Sequence, residues 1–178
     1  MKIPIRDITQ IAIFTAIIVI CAQIRIPLSG GVPFTLQTTG VALAGIILGA
    51  KKGVIAVCIY ILLGAAGVPV FNGLQGGIGI IAGHTGGFIL SFPLITLSAA
   101  FAARKQNVLY WAMLLILGFA ANLAIGMVFF AAILERTIAN AFAAAVAPFL
   151  LTSLLQIGIV IALGKALRYA LIKSRITI

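Results

Sequence analysis

Apolar residues run in long, nearly unbroken stretches over positions 8–24, 35–50, 53–67, 78–103, 108–134 and 141–164, and polar residues gather in the short interruptions between them. Each stretch comes near the ~20 apolar residues that a helix needs to cross the hydrocarbon of a bilayer. The pattern predicts an all-α membrane protein of six transmembrane helices. The second and third stretches are short, which predicts tilting, burial among neighbouring helices, or half-membrane loops beside them. Apolar runs recur almost to the C-terminus, so the first is expected to be a true span rather than a cleaved signal. With no repeat, low-complexity tail or long polar linker, residues 1–178 are expected to form a single transmembrane domain.

Composition agrees with the pattern: 63% of residues are hydrophobic and 8% charged, far from the balance of soluble domains. A net charge of +10 in a soluble chain would point to nucleic acid, so the distribution has to decide. With both termini cytoplasmic, Lys2, Arg6, Lys51, Lys52, Arg104, Lys105, Lys165, Arg168, Lys173 and Arg175 fall inside, and only Arg25 and Arg136 fall outside. This is the positive-inside bias of short loops. The expected partner is therefore a lipid bilayer and not nucleic acid.

Catalytic chemistry is scarce. Asp7 and Glu135 are the only carboxylic side chains and His84 the only imidazole, whereas a membrane hydrolase wants paired carboxylates, a metal cluster, or a nucleophile with its base. No enzyme, no metal site and no cofactor are expected. No Walker-type nucleotide motif occurs, so uphill transport would need energy from a partner. Cys21 and Cys58 lie inside apolar stretches without metal-ligand spacing and read as small buried hydrophobes.

The neutral polar residues are concentrated instead. "VPFTLQTTG" (32–40) supplies Thr35, Gln37, Thr38 and Thr39, "FNGLQGG" (71–77) supplies Asn72 and Gln75, and "GHTGG" (83–87) supplies His84 and Thr85. The glycines around His84 include the doublets Gly76–Gly77 and Gly86–Gly87, which weaken a helix without adding a packing stripe. Irregular backbone at membrane depth is tolerated only against protein or a cavity. A loop-lined pocket opening outward is expected, alongside close helix packing at individual glycines such as those of "GxxxG" at Gly79 and Gly83. In the last stretch Ser153 and Gln156 share a helix face, where they either line a pocket or bond neighbouring helices; Tyr60 and Asn122 pose the same choice. Tyr110 and Trp111, at the start of a span, read as an interfacial aromatic belt. Ala12 and Ala16 form a small-xxx-small strip on the first helix that lets another helix approach.

"AQIRIPLSGGVPFTLQTTGVALAGIILG", "IYILLGAAGVPVFNGLQGG" and "GHTGGFILSFP" resemble the BioY family, the biotin-binding S components of energy-coupling factor (ECF) vitamin transporters, from about residue 8 to 168. The resemblance implies the ECF S-component fold: six helices, both termini cytoplasmic, and an outward pocket closed by loops. It implies biotin as ligand and, as partners, a transmembrane scaffold subunit and two ATPase subunits that use the ATP. It further implies scaffold docking through Ala12 and Ala16, and residence in a prokaryotic plasma membrane. On that basis Gln37, Asn72, Gln75, His84, Thr85, Ser153 and Gln156 are expected to supply polar contacts to the ligand, and Phe34, Tyr60 and Phe71 its apolar walls, with Asn72 the first candidate for direct contact and Gln156 the second. The chain departs from the family where "PFLLTSLLQ" (148–156) stands in place of "PFLPGDLLK", so that Ser153 and Gln156 occupy the aspartate and lysine positions, and where His84 replaces the proline of "GPTGG". A biotin-like carboxylate such as lipoate is the alternative ligand, and a stand-alone facilitator the alternative function.

Overall fold

The computed structural model describes residues 4–26, 32 and 34–174; Lys2 and Arg175 of the predicted inner charge set lie outside the described residues. Helices α1 (Ile5–Gln23), α2 (Gln37–Ala65), α3 (Ile78–Ala82), α4 (Gly86–Leu90), α5 (Phe92–Ala102), α6 (Val108–Ile133), α7 (Ile138–Ala145) and α8 (Ala147–Lys173) follow one another, with two short strands, β1 (Arg25–Ile26) and β2 (Phe34–Thr35), between α1 and α2. Of these, α1, α2, α6 and α8 are long and apolar enough to cross a membrane.

The 29-residue α2 is not one rod. Gly49 sits at φ 77°, ψ 179°, a region essentially reserved for glycine. The Gln37 amide reaches the Tyr60 hydroxyl at 2.8 Å, although a straight helix would hold positions so spaced about 34 Å apart. The arms 37–48 and 50–65 therefore fold back on each other, and they correspond to the second and third apolar stretches. Gly53 lies so close to the first arm that a Cβ would stand 2.9 Å from the Ala44 carbonyl oxygen. A Cβ on Gly49 itself would meet nothing within 4 Å, so Gly49→Ala isolates the backbone cost. It should lower stability by about 1–3 kcal/mol, read as a fall in the thermal-unfolding midpoint in detergent.

The fourth apolar stretch, expected to be continuous over 78–103, is divided into α3, α4 and α5. The reason is close approach: a Cβ on Gly86 would lie 1.8 Å from the Ile81 carbonyl oxygen, and one on Gly87 would lie 2.3 Å from the Phe129 Cβ. At the second break the Ser91 hydroxyl donates to the carbonyls of Gly87 and Phe88 at 2.8 and 3.1 Å. Asn122 of α6 donates its amide to the Phe88 carbonyl and to Ser91 Oγ, both at 2.7 Å. Backbone groups freed by the break are thus satisfied from inside the bundle, as apolar surroundings require. The sixth stretch divides at Val146, the residue before α8, whose second residue is Pro148; a proline in the first turn starts a helix without needing its own N–H.

On α1 the buried residues Ile11, Thr15, Ile18 and Ala22 recur at helical spacing and face α2. Thr15 donates to the carbonyls of Ile11 and Ala56 at 2.9 and 3.1 Å. Ala12 and Ala16 lie on the exposed side. At one end of the bundle Lys52 binds Asp7 at 3.2 Å, joining the start of α1 to the turn at Gly49. Trp111 differs from the aromatic-belt expectation: it is 2% exposed, because its indole N–H donates to the Lys105 carbonyl at 2.7 Å and its ring packs in the space left by Gly164.

Candidate ligand-binding site

Between the start of α2, the loop 71–75, the broken segment 80–92, α6 and α8 lies a cavity of about 500 Å³, in the range of small-molecule sites. Its apolar walls come from Phe34, Phe71, Phe88, Phe92, Phe119 and Phe149. Apart from Phe88 and Phe92 they are far apart in sequence, and only the packing of five different segments brings them together.

Nine of the ten residues singled out from the sequence line this space: Phe34, Gln37, Phe71, Asn72, Gln75, His84, Thr85, Ser153 and Gln156. Tyr60, expected as a wall, does not. It is fully buried, stands edge-on behind Phe71 with ring centroids 5.5 Å apart, accepts from Gln37 at 2.8 Å and donates to the Val70 carbonyl at 3.3 Å. A phenol so bonded on both sides is a brace for the loop, and burial without these partners would be costly.

The polar residues divide by how far the protein already satisfies them. Gln156 is engaged at both ends of its amide: Thr38 Oγ1 donates to its oxygen at 2.6 Å, and its nitrogen donates to the Thr35 carbonyl at 2.7 Å. It stitches α8 to the β2–α2 corner. His84 stands edge-on to Phe130 with centroids 5.8 Å apart. Asn72 is the opposite case: its Oδ1 is buried without a hydrogen-bond partner. A buried, unpaired carbonyl oxygen costs roughly 1–3 kcal/mol, so an orphan at a cavity wall is an acceptor waiting for a donor.

The sequence marks Arg25 only as an outer charge, yet it lines the cavity and is the one permanently charged side chain among the described residues that do so. Antiparallel pairing of β1 with β2 matches Arg25 to Thr35, and the guanidinium lies over Gly73, whose Cβ would stand 2.7 Å from an Arg25 nitrogen. Thr152, Asn122 and the phenylalanines Phe88, Phe92, Phe119 and Phe149 also line the space. Their signal in the sequence was faint, because phenylalanine on a membrane helix faces lipid as readily as a pocket.

The BioY family pattern matches residues 1–173. The chain belongs to the BioY family. Among its relatives, a probable biotin transporter BioY of Pyrococcus horikoshii is 43% identical over 104 residues, covering 58% of this chain and 64% of that protein. A biotin transporter BioY of Thermotoga maritima is 44% identical over 106 residues, covering 60% and 62%. The chain thus aligns with less than two thirds of the length of either. The crystal structure of the S-component for biotin from an ECF-type ABC transporter superposes with a TM-score of 0.85 at 24% identity, over 93% of this chain and 92% of that one, which shows the S-component fold. Named BioY relatives are transporters, not enzymes. His84, Ser153 and Gln156 all lie on this cavity.

Proposed function

We propose that this BioY protein is the membrane-embedded substrate-binding component of an ECF-type vitamin uptake transporter, and that its cavity takes biotin from the outer side. The observation that carries this is the unpaired Asn72 Oδ1 in a phenylalanine-walled space with Arg25 as its only permanent charge among the described lining residues. Biotin offers ureido N–H donors, an apolar bicycle and a carboxylate. These match an orphan acceptor, aromatic walls and a guanidinium respectively. Gln37, Gln75, His84, Thr85 and Ser153 complete the polar lining, and Gln156 acts by holding Thr35 and Thr38 in place. Lipoate also carries a carboxylate, but its dithiolane has no donor for Asn72.

The same reading makes the chain one unit of six crossings with both termini cytoplasmic, in a prokaryotic plasma membrane. Support comes from the return of α2 at Gly49 and from the Asp7–Lys52 contact, which joins the start of α1 to that basic turn. A transmembrane scaffold subunit would dock on α1 across Ala12 and Ala16, which are exposed and small enough for close helix approach. Two ATPase subunits would supply the energy, since this chain carries no nucleotide motif.

Calorimetric titration of the detergent-purified, ligand-stripped protein tests the reading. One-to-one binding of biotin, with lipoate weaker by about tenfold or more, is expected. Tight lipoate binding with no biotin binding would overturn the assignment of the ligand.

A further inference from the structure

Beside the Tyr60 brace, the cavity loop is held from outside the cavity by Gln23, which ends α1 and does not line the site. Its amide nitrogen donates to the carbonyls of Val70 and Phe71 at 3.3 and 3.1 Å, and also reaches the Val19 carbonyl at 3.2 Å. Its oxygen accepts the Leu74 N–H at 3.0 Å. The loop itself is closed by Phe71 and Gln75, which exchange backbone hydrogen bonds at 2.9 and 3.3 Å. Asn72, Gly73 and Leu74 form its tip. Gly73 has φ 74° and Leu74 φ 56°; for a leucine this is a rarely populated conformation that persists only when the surroundings impose it. Gln23 bonds the backbone on both sides of Asn72, and its oxygen takes the N–H of the strained Leu74.

We propose that Gln23 is a positioning residue of the ligand site: it fixes the 70–74 backbone so that Asn72 Oδ1 is presented, buried and unpaired, to the ligand's donor. The inference rests on the biotin reading for its affinity readout, and on geometry alone for its loop readout. The amide donates to Phe71 and accepts from Leu74 at once, and a carboxyl of the same length does so only when protonated. A carboxylate keeps the second bond and turns the first into repulsion between two acceptors.

The test uses the full chain in detergent with Gln23→Leu and Gln23→Glu. In Gln23→Leu without ligand, hydrogen exchange at the Phe71, Leu74 and Gln75 amides should accelerate while the helices keep their protection, and the biotin Kd should rise about tenfold or more. Gln23→Glu should bind as weakly at about pH 8 and recover toward wild type as pH falls to about 5, each value taken relative to wild type at the same pH, because protonation restores the donor. A structural defect in α1 would not be repaired by acid. Wild-type exchange and affinity in Gln23→Leu, or a Gln23→Glu deficit flat in pH, would overturn the proposal. Failure of the wild-type protein to bind biotin sinks the ligand assignment, and the exchange measurement then decides the role of Gln23 by itself.

Discussion

Asn72→Ala is expected to weaken biotin binding by about ten- to a hundredfold, the equivalent of about 1–3 kcal/mol for one hydrogen bond to a buried acceptor. Its effect on the empty protein should have the opposite sign. Asn72 Oδ1 is buried and unpaired before ligand arrives, and removing an orphan acceptor removes its desolvation cost. Thermal unfolding of the ligand-free variant should therefore occur at or above the wild-type temperature, while the stabilisation that biotin adds is lost. A residue that merely supported the fold would lower both. Equal biotin affinity in the variant and the wild type would take Asn72 out of the site.

Gly45→Ala should be among the most damaging single methyls in the described core. A Cβ at this position would stand 2.1 Å from the Thr96 carbonyl oxygen, where α2 packs on α5. The obstacle is backbone, so no rotamer change relieves it; the helices must separate. Overpacking of this kind costs about 1–3 kcal/mol and sometimes more, and separation would also loosen the Thr96 hydroxyl from the Val41 carbonyl, now at 3.3 Å. The expected result is a large fall in the yield of monodisperse protein on size exclusion, with a lowered unfolding midpoint in whatever is recovered. Because Gly45 does not line the cavity, the folded fraction should still bind biotin normally. A normal yield with normal stability would show that the contact between α2 and α5 is looser than described.

How far the site was legible follows from what each residue's signal depends on. Asn72, Gln75, His84 and Thr85 stand out because polar groups and glycine doublets are anomalous in an apolar chain. Ser153 and Gln156 stand out because they share a helix face, but the face does not say whether a side chain meets a ligand or its own protein. For Gln156 the structure shows both ends of the amide bonded to Thr35 and Thr38. Tyr60 illustrates the same limit from the other side: a polar aromatic inside a span looks like a pocket residue, and packing placed Phe71 in front of it. Arg25 gave no sign beyond its charge, since its place at the cavity depends on pairing between two strands of two residues each.

The sequence by itself determined the membrane-spanning class, most helix limits and the polar segments that meet at the cavity. Hydrophobicity and glycine frequency are local quantities, and a bilayer turns them almost directly into helices and breaks. Only the tertiary structure decided that the turn between the second and third apolar stretches is made at Gly49, that the fourth apolar stretch is three short helices, and that Gln23 holds the loop bearing Asn72. Each of these rests on atoms distant in sequence coming within contact, such as Gly86 against Ile81 across the bend or Gln23 against Phe71 and Leu74. Steric exclusion and hydrogen-bond satisfaction act between neighbours in space, and linear order does not name those neighbours.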